Sequence, residues 1–121
     1  MLSLPASVRV FLCLRPVDMR LSFDRLAALV GEVCGQSPLS GHLFIFHSRR
    51  RDRLKILYWD RDGLALWYKR LEKGIFPIPK QDGCDSLAVN PAELSLLLEG
   101  VDISSFRRLP RKPRFSLAKN P

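Results

Sequence analysis

The sequence predicts a small α+β domain: a mostly antiparallel sheet with two or three packed helices, followed by a basic C-terminal tail. Hydrophobic residues make up 46% of the 121 residues, which is enough to build a core. Strand-like and helix-like patterns alternate along the chain. Residues 104–121 contain basic side chains and prolines but no acid, which is typical of a flexible tail. We therefore predict one domain over residues 1–103 and a tail over residues 104–121.

The chain begins with a predicted strand and a predicted helix. In residues 8–14 the apolar side chains alternate, which indicates a strand, and Pro16 closes it. Between residues 23 and 33 apolar side chains recur at three- and four-residue spacing, which indicates one face of an amphipathic helix. Asp18 or Ser22 is the candidate N-terminal cap of this helix, and Gly35 is placed to end it.

Two apolar, aromatic-rich segments follow, at residues 43–47 and 54–59. The short charged connector between them predicts a β-hairpin whose turn spans residues 49–52. Arg49, Arg50 and Arg51 in this turn repel one another unless an anion lies nearby. Because no structural need for them is evident, we interpret the turn as functional.

The segment after the next turn, at residues 60–63, allows two interpretations. Its apolar residues have helical spacing, and a glycine follows where such a helix would end. These residues are Leu64, Trp67, Tyr68 and Leu71, with Gly74 after them. Since Trp and Tyr also favour sheets, a third antiparallel strand is the alternative. The spacing favours the helix.

The last predicted helix has a well-defined start. Asn90 is the cap, Pro91 occupies the first turn, and Glu93 can bond back to the cap. Leucines continue the helix, and Gly100 ends it. Before it, residues 76–79 are expected to be extended, because each proline moves its predecessor out of the helical region.

The charge of the chain indicates a polyanionic partner. There are 20 Lys and Arg against 12 Asp and Glu, giving a formal net charge of +8. Nucleic acid is the commonest partner of such a chain. The apolar runs are far shorter than the roughly 20 residues of a membrane span, and no signal peptide is recognisable. Three scattered cysteines indicate free thiols in a reducing compartment, so we expect a cytoplasmic protein with no membrane partner.

Residues 16–76 carry a series of sequence blocks that resembles a known family. The blocks include PVDMR at residues 16–20, SGHLFIF at residues 40–46, DRLKILYWD at residues 52–60 and WYKRLEKG at residues 67–74. In this order they resemble the TnpB-type accessory proteins of insertion sequences of family 66. These proteins are unrelated to the RNA-guided nucleases that share the name.

The resemblance implies an accessory role in transposition, beside the transposase of the same element and without assigned catalytic residues. The chain departs from the family pattern at Leu21 and Ser22, where Lys-Gly is more usual, and at Arg51, in a turn where the family often has glycine or another small residue. The second departure leaves the type of the hairpin turn open.

No set of residues predicts catalysis, a cofactor or a metal site. His42 and His47 are expected on opposite faces of their strand, and the cysteines lack the paired spacing of zinc ligands. Each acid is more simply a cap, a turn residue or a charge partner. The chain is also short for the core around the two-metal site of a transposase. We therefore expect a protein that is not an enzyme.

The candidate nucleic-acid interface consists of basic residues in the hairpin region and the tail. Residues 49–73 hold nine basic residues against four acids, with four aromatic residues interleaved. Arginine binds phosphate through two hydrogen bonds, and aromatic rings stack on unpaired bases. The candidate residues are Arg49, Arg50, Arg51, Arg53, Lys55, Lys69, Arg70, Lys73, Arg107, Arg108, Arg111, Lys112 and Arg114.

Two hypotheses of function follow. In the first, the arginine-rich hairpin and the tail hold DNA of the transposon ends while another surface binds the transposase. In the second, the chain is a protein-only adaptor that binds the transposase, or another protein of the element, without contacting DNA. The leucine-rich helix of residues 94–100 is the candidate docking face of the adaptor, although core packing is the simpler role for it.

Overall fold

The computed structural model describes Pro5 and residues 7–105. The predicted tail, with its candidate residues Arg107, Arg108, Arg111, Lys112 and Arg114, lies outside the described residues apart from its first two positions. The elements in chain order are β1 (Val10–Cys13), α1 (Phe23–Leu29), a π-helical turn (Val30–Cys34), β2 (Leu43–His47), β3 (Arg53–Asp60), β4 (Gly63–Arg70), β5 (Ser86–Val89), α2 (Pro91–Leu98) and a 3₁₀ turn (Ile103–Ser105).

The five strands form one sheet in the order β4-β3-β2-β1-β5. Strands β1 and β2 are parallel, because α1 carries the chain back between them, and the other three pairings are antiparallel. The predicted α+β class and the mostly antiparallel sheet are therefore confirmed. Strand β5 was not predicted: its four residues SLAV give little pattern, and they pair with a strand more than seventy residues earlier.

Both faces of the sheet are buried. On one face, here called the α1 face, Leu26 and Val30 pack with the phenylalanines of β1 and β2 and with Leu57. On the other, the α2 face, Leu94 and Leu97 pack with aliphatic residues of β1, β2 and β3. Phe76, Ile78 and Ile103 complete this second core. Burial on both faces supplies the main stabilising free energy of a domain this small.

The predicted helix over residues 64–71 is wrong. Arg61 and Asp62 form a two-residue turn, and β4 pairs with all eight residues of β3, from Asp60↔Gly63 to Arg53↔Arg70. The physical reason is that the α1 and α2 faces are both covered, so apolar residues point to both sides of β4. The run then lacks the apolar–polar alternation of a half-exposed strand, and its spacing imitates a helix.

The predicted helix boundaries are largely confirmed. In α2 the Asn90 carboxamide accepts the N–H of Glu93 at 2.7 Å, and the Glu93 carboxylate accepts the N–H of Asn90 at 2.9 Å. Gly35 ends the first helical segment with a φ of 64°. Ser22 lies at the cap position of α1, but its side chain makes no capping hydrogen bond. Among the described residues, no helix is long and apolar enough to cross a membrane.

Lys55 is a structural residue of the sheet. Its side chain is 6% exposed, and its ammonium donates to the carbonyl oxygens of Met19 and Leu21 at 2.8 and 2.7 Å. The same ammonium lies 4.7 Å from the ring centroid of Tyr68. Desolvation lowers the pKa of this amine. Lys55 thus fastens the segment before α1 to the centre of β3, and its charge is not available to a phosphate.

We expect Lys55→Met to lower the free energy of unfolding by about 1–3 kcal/mol, because two carbonyl oxygens lose a charged donor. Lys69→Met is the matched control: Lys69 is exposed on the neighbouring strand, and its replacement should change stability by less than about 0.5 kcal/mol. Denaturant unfolding measures both. Equal effects of the two substitutions would contradict the structural role of Lys55.

Candidate nucleic-acid interface

The arginine turn, residues 49–52 between β2 and β3, is held by a closed set of hydrogen bonds around Ser48. The Ser48 hydroxyl donates to the Asp52 carboxylate and accepts the Arg53 N–H, both at 3.1 Å. The Ser48 N–H donates to the Arg53 carbonyl, and the Arg51 N–H donates to the Ser48 carbonyl. The backbone of the turn is therefore fixed without help from the arginine side chains.

The chain after β4 supports the same turn from outside. The Leu71 N–H donates to the Asp52 carbonyl, and the Phe76 N–H donates to the Arg51 carbonyl, both at 2.7 Å. Phe76 is fully buried, so it anchors this segment in the core. The loop that includes Lys73 therefore passes beside the arginine turn.

Seven of the predicted basic residues meet at this end of the sheet, which we call the basic end. They are Arg49, Arg50, Arg51, Arg53, Lys69, Arg70 and Lys73. Asp52 and Glu72 are the acids of the same segments, and the Asp52 carboxylate accepts a hydrogen bond from the Ser48 hydroxyl. The opposite end of the β3–β4 pair carries Arg61 between Asp60 and Asp62. Positive charge is thus concentrated at one end of this strand pair.

The basic end places like charges against each other. Arg53 is the direct cross-strand partner of Arg70, an arrangement that destabilises a sheet unless counter-charge is supplied. Glu72 binds Arg70 at 3.2 Å in an exposed ion pair, which offsets one of these charges weakly. Within the described part of the chain, Arg49, Arg50 and Arg51 make no ion pair. An anion bound here would relieve the repulsion.

Arg51 has a backbone conformation that normally favours glycine. Its φ is 62°, and Arg61 is the other non-glycine residue with positive φ among those described. The left-handed region costs a side-chain-bearing residue about 1–2 kcal/mol. This explains why the sequence left the type of the turn open: a position suited to glycine carries arginine. Backbone strain of this kind is a recognised mark of functional positions.

Among the described residues, the structure separates Lys55 from the rest of the predicted interface. Lys55 is buried beneath Tyr68, as described above, whereas Arg49 and Arg50 are exposed at the tip. The tail residues lie outside the described part of the chain. Sequence reasoning missed Ser48, whose hydroxyl organises the turn. A serine directly before a charged turn was the available signal, because Ser side chains often bond to the backbone of turns.

His47, the residue before Ser48, is buried behind the turn. Its Nδ1 lies 3.1 Å from the Ser48 carbonyl oxygen, and its Nε2 lies 3.3 Å from the Leu14 carbonyl oxygen. Burial lowers the pKa of this imidazole below its usual 6.5, and the positive charge of Arg51 lowers it further. A neutral imidazole has one N–H, so the ring donates to one of these two carbonyl oxygens, at the base of the turn or after the end of β1, according to its tautomer.

The other histidine, aspartate and cysteine side chains considered as candidates make structural contacts or are buried. His42 accepts the N–H of Arg9 at 3.0 Å, and Asp18 pairs with Arg20, which lowers the pKa of the Asp18 carboxyl to about 2. Burial raises the pKa of the thiols of Cys13 and Cys34, the latter to about 11. No group of three or more metal-ligating side chains comes together among the described residues.

Comparison with known proteins gives a family match and two close relatives. Residues 8–108 match the family described as IS66 Orf2-like protein. Uncharacterized protein y4jC of Sinorhizobium fredii is 41% identical over 107 residues, 87% of this chain and 89% of the relative. Uncharacterized protein y4hO of the same organism is 42% identical over 96 residues, 79% of this chain and 83% of the relative. No solved structure matches the chain significantly.

Replacing the strained arginine by glycine tests the geometry of the turn. We expect Arg51→Gly to leave the free energy of unfolding unchanged or raise it by up to ~1 kcal/mol, because glycine adopts positive φ without a steric penalty. The control is Arg50→Gly, at a position without positive φ, which should lower stability by up to ~1 kcal/mol. Denaturant unfolding distinguishes the two, and a larger loss at Arg51 than at Arg50 would contradict the turn geometry.

The buried imidazole gives a pH dependence of stability. Because the pKa of His47 is lower in the folded state, the unfolded chain binds more protons just below pH 6.5. The contribution of His47 to the free energy of unfolding should therefore be fully present above about pH 6.5. It should fall as the pH decreases, by at most ~1.4 kcal/mol per pH unit. Urea unfolding between pH 7.5 and 5.5 measures the slope.

His47→Gln should reduce the dependence of stability on pH. The control is His42→Gln, which removes the histidine that accepts the Arg9 N–H in an exposed hydrogen bond, and it should leave the dependence unchanged. An unchanged slope in the His47 variant would show that another group titrates.

Proposed function

The chain belongs to the family of IS66 Orf2-like proteins, and from this premise we propose that it is a DNA-holding accessory protein in the transposition of an insertion sequence. In this proposal the basic end contacts DNA phosphates and the chain performs no catalysis. The transposase of the same element acts on the DNA that the chain holds. Family membership supplies the association with transposition, and the basic end supplies the suggested mode of action.

The observation that carries the proposal is an arginine cluster on a fixed turn that makes no ion pair with any described residue. Arg49 and Arg50 are exposed and Arg51 is half-buried. The backbone that carries them is fixed by hydrogen bonds of Ser48, Asp52 and the chain after β4. Since these hydrogen bonds fix the backbone of the turn, binding requires little reorganisation of it. Guanidinium groups bind phosphate oxygens in pairs, which suits a sugar–phosphate backbone.

The adaptor hypothesis has less support from the described surface. Leu94 and Leu97 of α2 are buried in the core, and Leu96 and Leu98 pack partly against it. The leucines that suggested a docking helix therefore contribute to folding. A protein partner would need another surface, and the DNA experiment below distinguishes the two roles.

The test compares two triple variants with equal loss of charge. In the first, Arg49, Arg50 and Arg51 become alanine; in the second, Arg9, Arg25 and Arg61 do, none of which belongs to the basic end. Fluorescence anisotropy with a terminal-repeat duplex and a scrambled duplex is measured across a salt series. We expect the first variant to lose about tenfold or more in affinity, and the slope of log K against log salt to shrink by about one per lost phosphate contact.

The control variant should lose clearly less, because its charges act only at a distance and are screened within about 10 Å at 0.1 M salt. Equal losses in the two variants would mean that net charge alone drives binding, and the assignment to the turn would be wrong. No binding by the unmodified chain at low salt would reject the DNA proposal and favour the adaptor.

A further inference from the structure

Strand β4 leaves one long edge of the sheet uncovered by the described residues. Its eight residues pair with β3 on one side in an unbroken register without a bulge, and the sheet order places no described strand on the other side. Of the features that protect an edge from pairing, the strand has no proline and no bulge, and its charged residues Lys69 and Arg70 lie at one end only. Leu64, Leu66 and Trp67 are half-buried, and Tyr68 is 48% exposed.

The hydrogen-bonding groups on this edge can be assigned residue by residue. Leu71 donates its N–H to Asp52, and bonded pairs alternate along an antiparallel ladder. Ala65, Trp67 and Lys69 therefore bond to β3. The backbone groups directed outward from the sheet belong to Leu64, Leu66, Tyr68 and Arg70.

Charge is distributed unequally along this edge. Lys69 and Arg70 lie at one end of β4, and the turn at the other end contributes Asp60 and Asp62 around Arg61. A second copy that runs parallel would set like charges against like charges. A second copy that runs antiparallel brings the basic end of each strand to the acidic turn of the other. The edge is thus electrostatically complementary to itself in one orientation.

We propose that two copies of this chain associate through their β4 edges in an antiparallel, two-fold symmetric pairing centred on Leu66. This register uses the outward backbone groups of both strands. It sets Leu64 opposite Tyr68 of the other copy and the small Ala65 opposite its Trp67, so apolar residues meet apolar residues. Arg70 of each copy then faces Asp62 of the other. The result is a continuous ten-stranded sheet, and a two-fold interface of this kind is self-complementary.

The pairing does not depend on the proposed function, and its test contains no DNA. Sedimentation velocity over a range of concentrations is applied to the full chain and to Arg70→Asp, Asp62→Arg and the double variant. Each single variant creates two symmetric like-charge pairs and should raise the dimer dissociation constant about tenfold. The double variant exchanges the partners and should restore most of the affinity. Asp82→Arg, an exposed acid before β5, is the matched control and should have no effect.

Hydrogen exchange supplies an independent measurement. The amides of Leu64, Leu66, Tyr68 and Arg70 should be protected at high protein concentration and exchange faster on dilution. If the dimer dissociation constant is the same in the single and double charge variants as in the unmodified chain, the interface lies elsewhere and the proposal is overturned. A monomer would overturn it as well: protected outward amides would then mean that the chain's own remaining residues cover the edge, and unprotected ones that the edge is free.

Discussion

Burial of both faces of the five-stranded sheet is the constraint on which the rest of the structure depends. Helix α1 covers one face, and α2 with Phe76 and Ile78 covers the other. Both faces are then occupied by packing, so the surfaces left for partners are the ends of the strands and the outer edges. The basic end and the β4 edge are such surfaces, and both belong to the β3–β4 pair. Both proposed contact surfaces therefore lie on the same strand pair.

In and around the arginine turn, some residues stabilise the backbone and others destabilise the free chain. Ser48, Asp52 and the segment ending at Phe76 supply the order of the backbone, while Arg51 and the Arg53–Arg70 pair supply unfavourable terms. A sequence optimised for stability alone would have glycine at Arg51 and opposite charges across the strands. A site that binds a polyanion gains from the same charges when the ligand is present. In the proposed complex with DNA, the side chains that cost stability in the free chain are the ones that contact the phosphates.

Local patterns predicted the parts of the fold that depend on neighbouring residues. Strand β1, the hairpin turn and the Asn90–Glu93 cap of α2 were predicted from short-range patterns, and the structure has all three. Strand β4 was mistaken for a helix because its environment is set by residues distant in sequence, and β5 for the same reason was missed. Lys55 was grouped with the binding arginines, since nothing in its neighbourhood shows that carbonyls some 35 residues earlier receive its ammonium. The structures of β4 and β5 and the role of Lys55 depend on long-range contacts, which patterns in a single sequence do not reveal.

In the proposed complex, the guanidinium groups of the arginine turn contact DNA phosphates directly. Arginine side-chain Nε–Hε resonances report such contacts residue by residue, so the most direct measurement is their NMR titration with a terminal-repeat duplex. We expect the signals of Arg49, Arg50 and Arg51 to shift together and saturate, while those of Arg9 and Arg25 stay in place. Binding that leaves the three turn signals unmoved would contradict the proposed contacts.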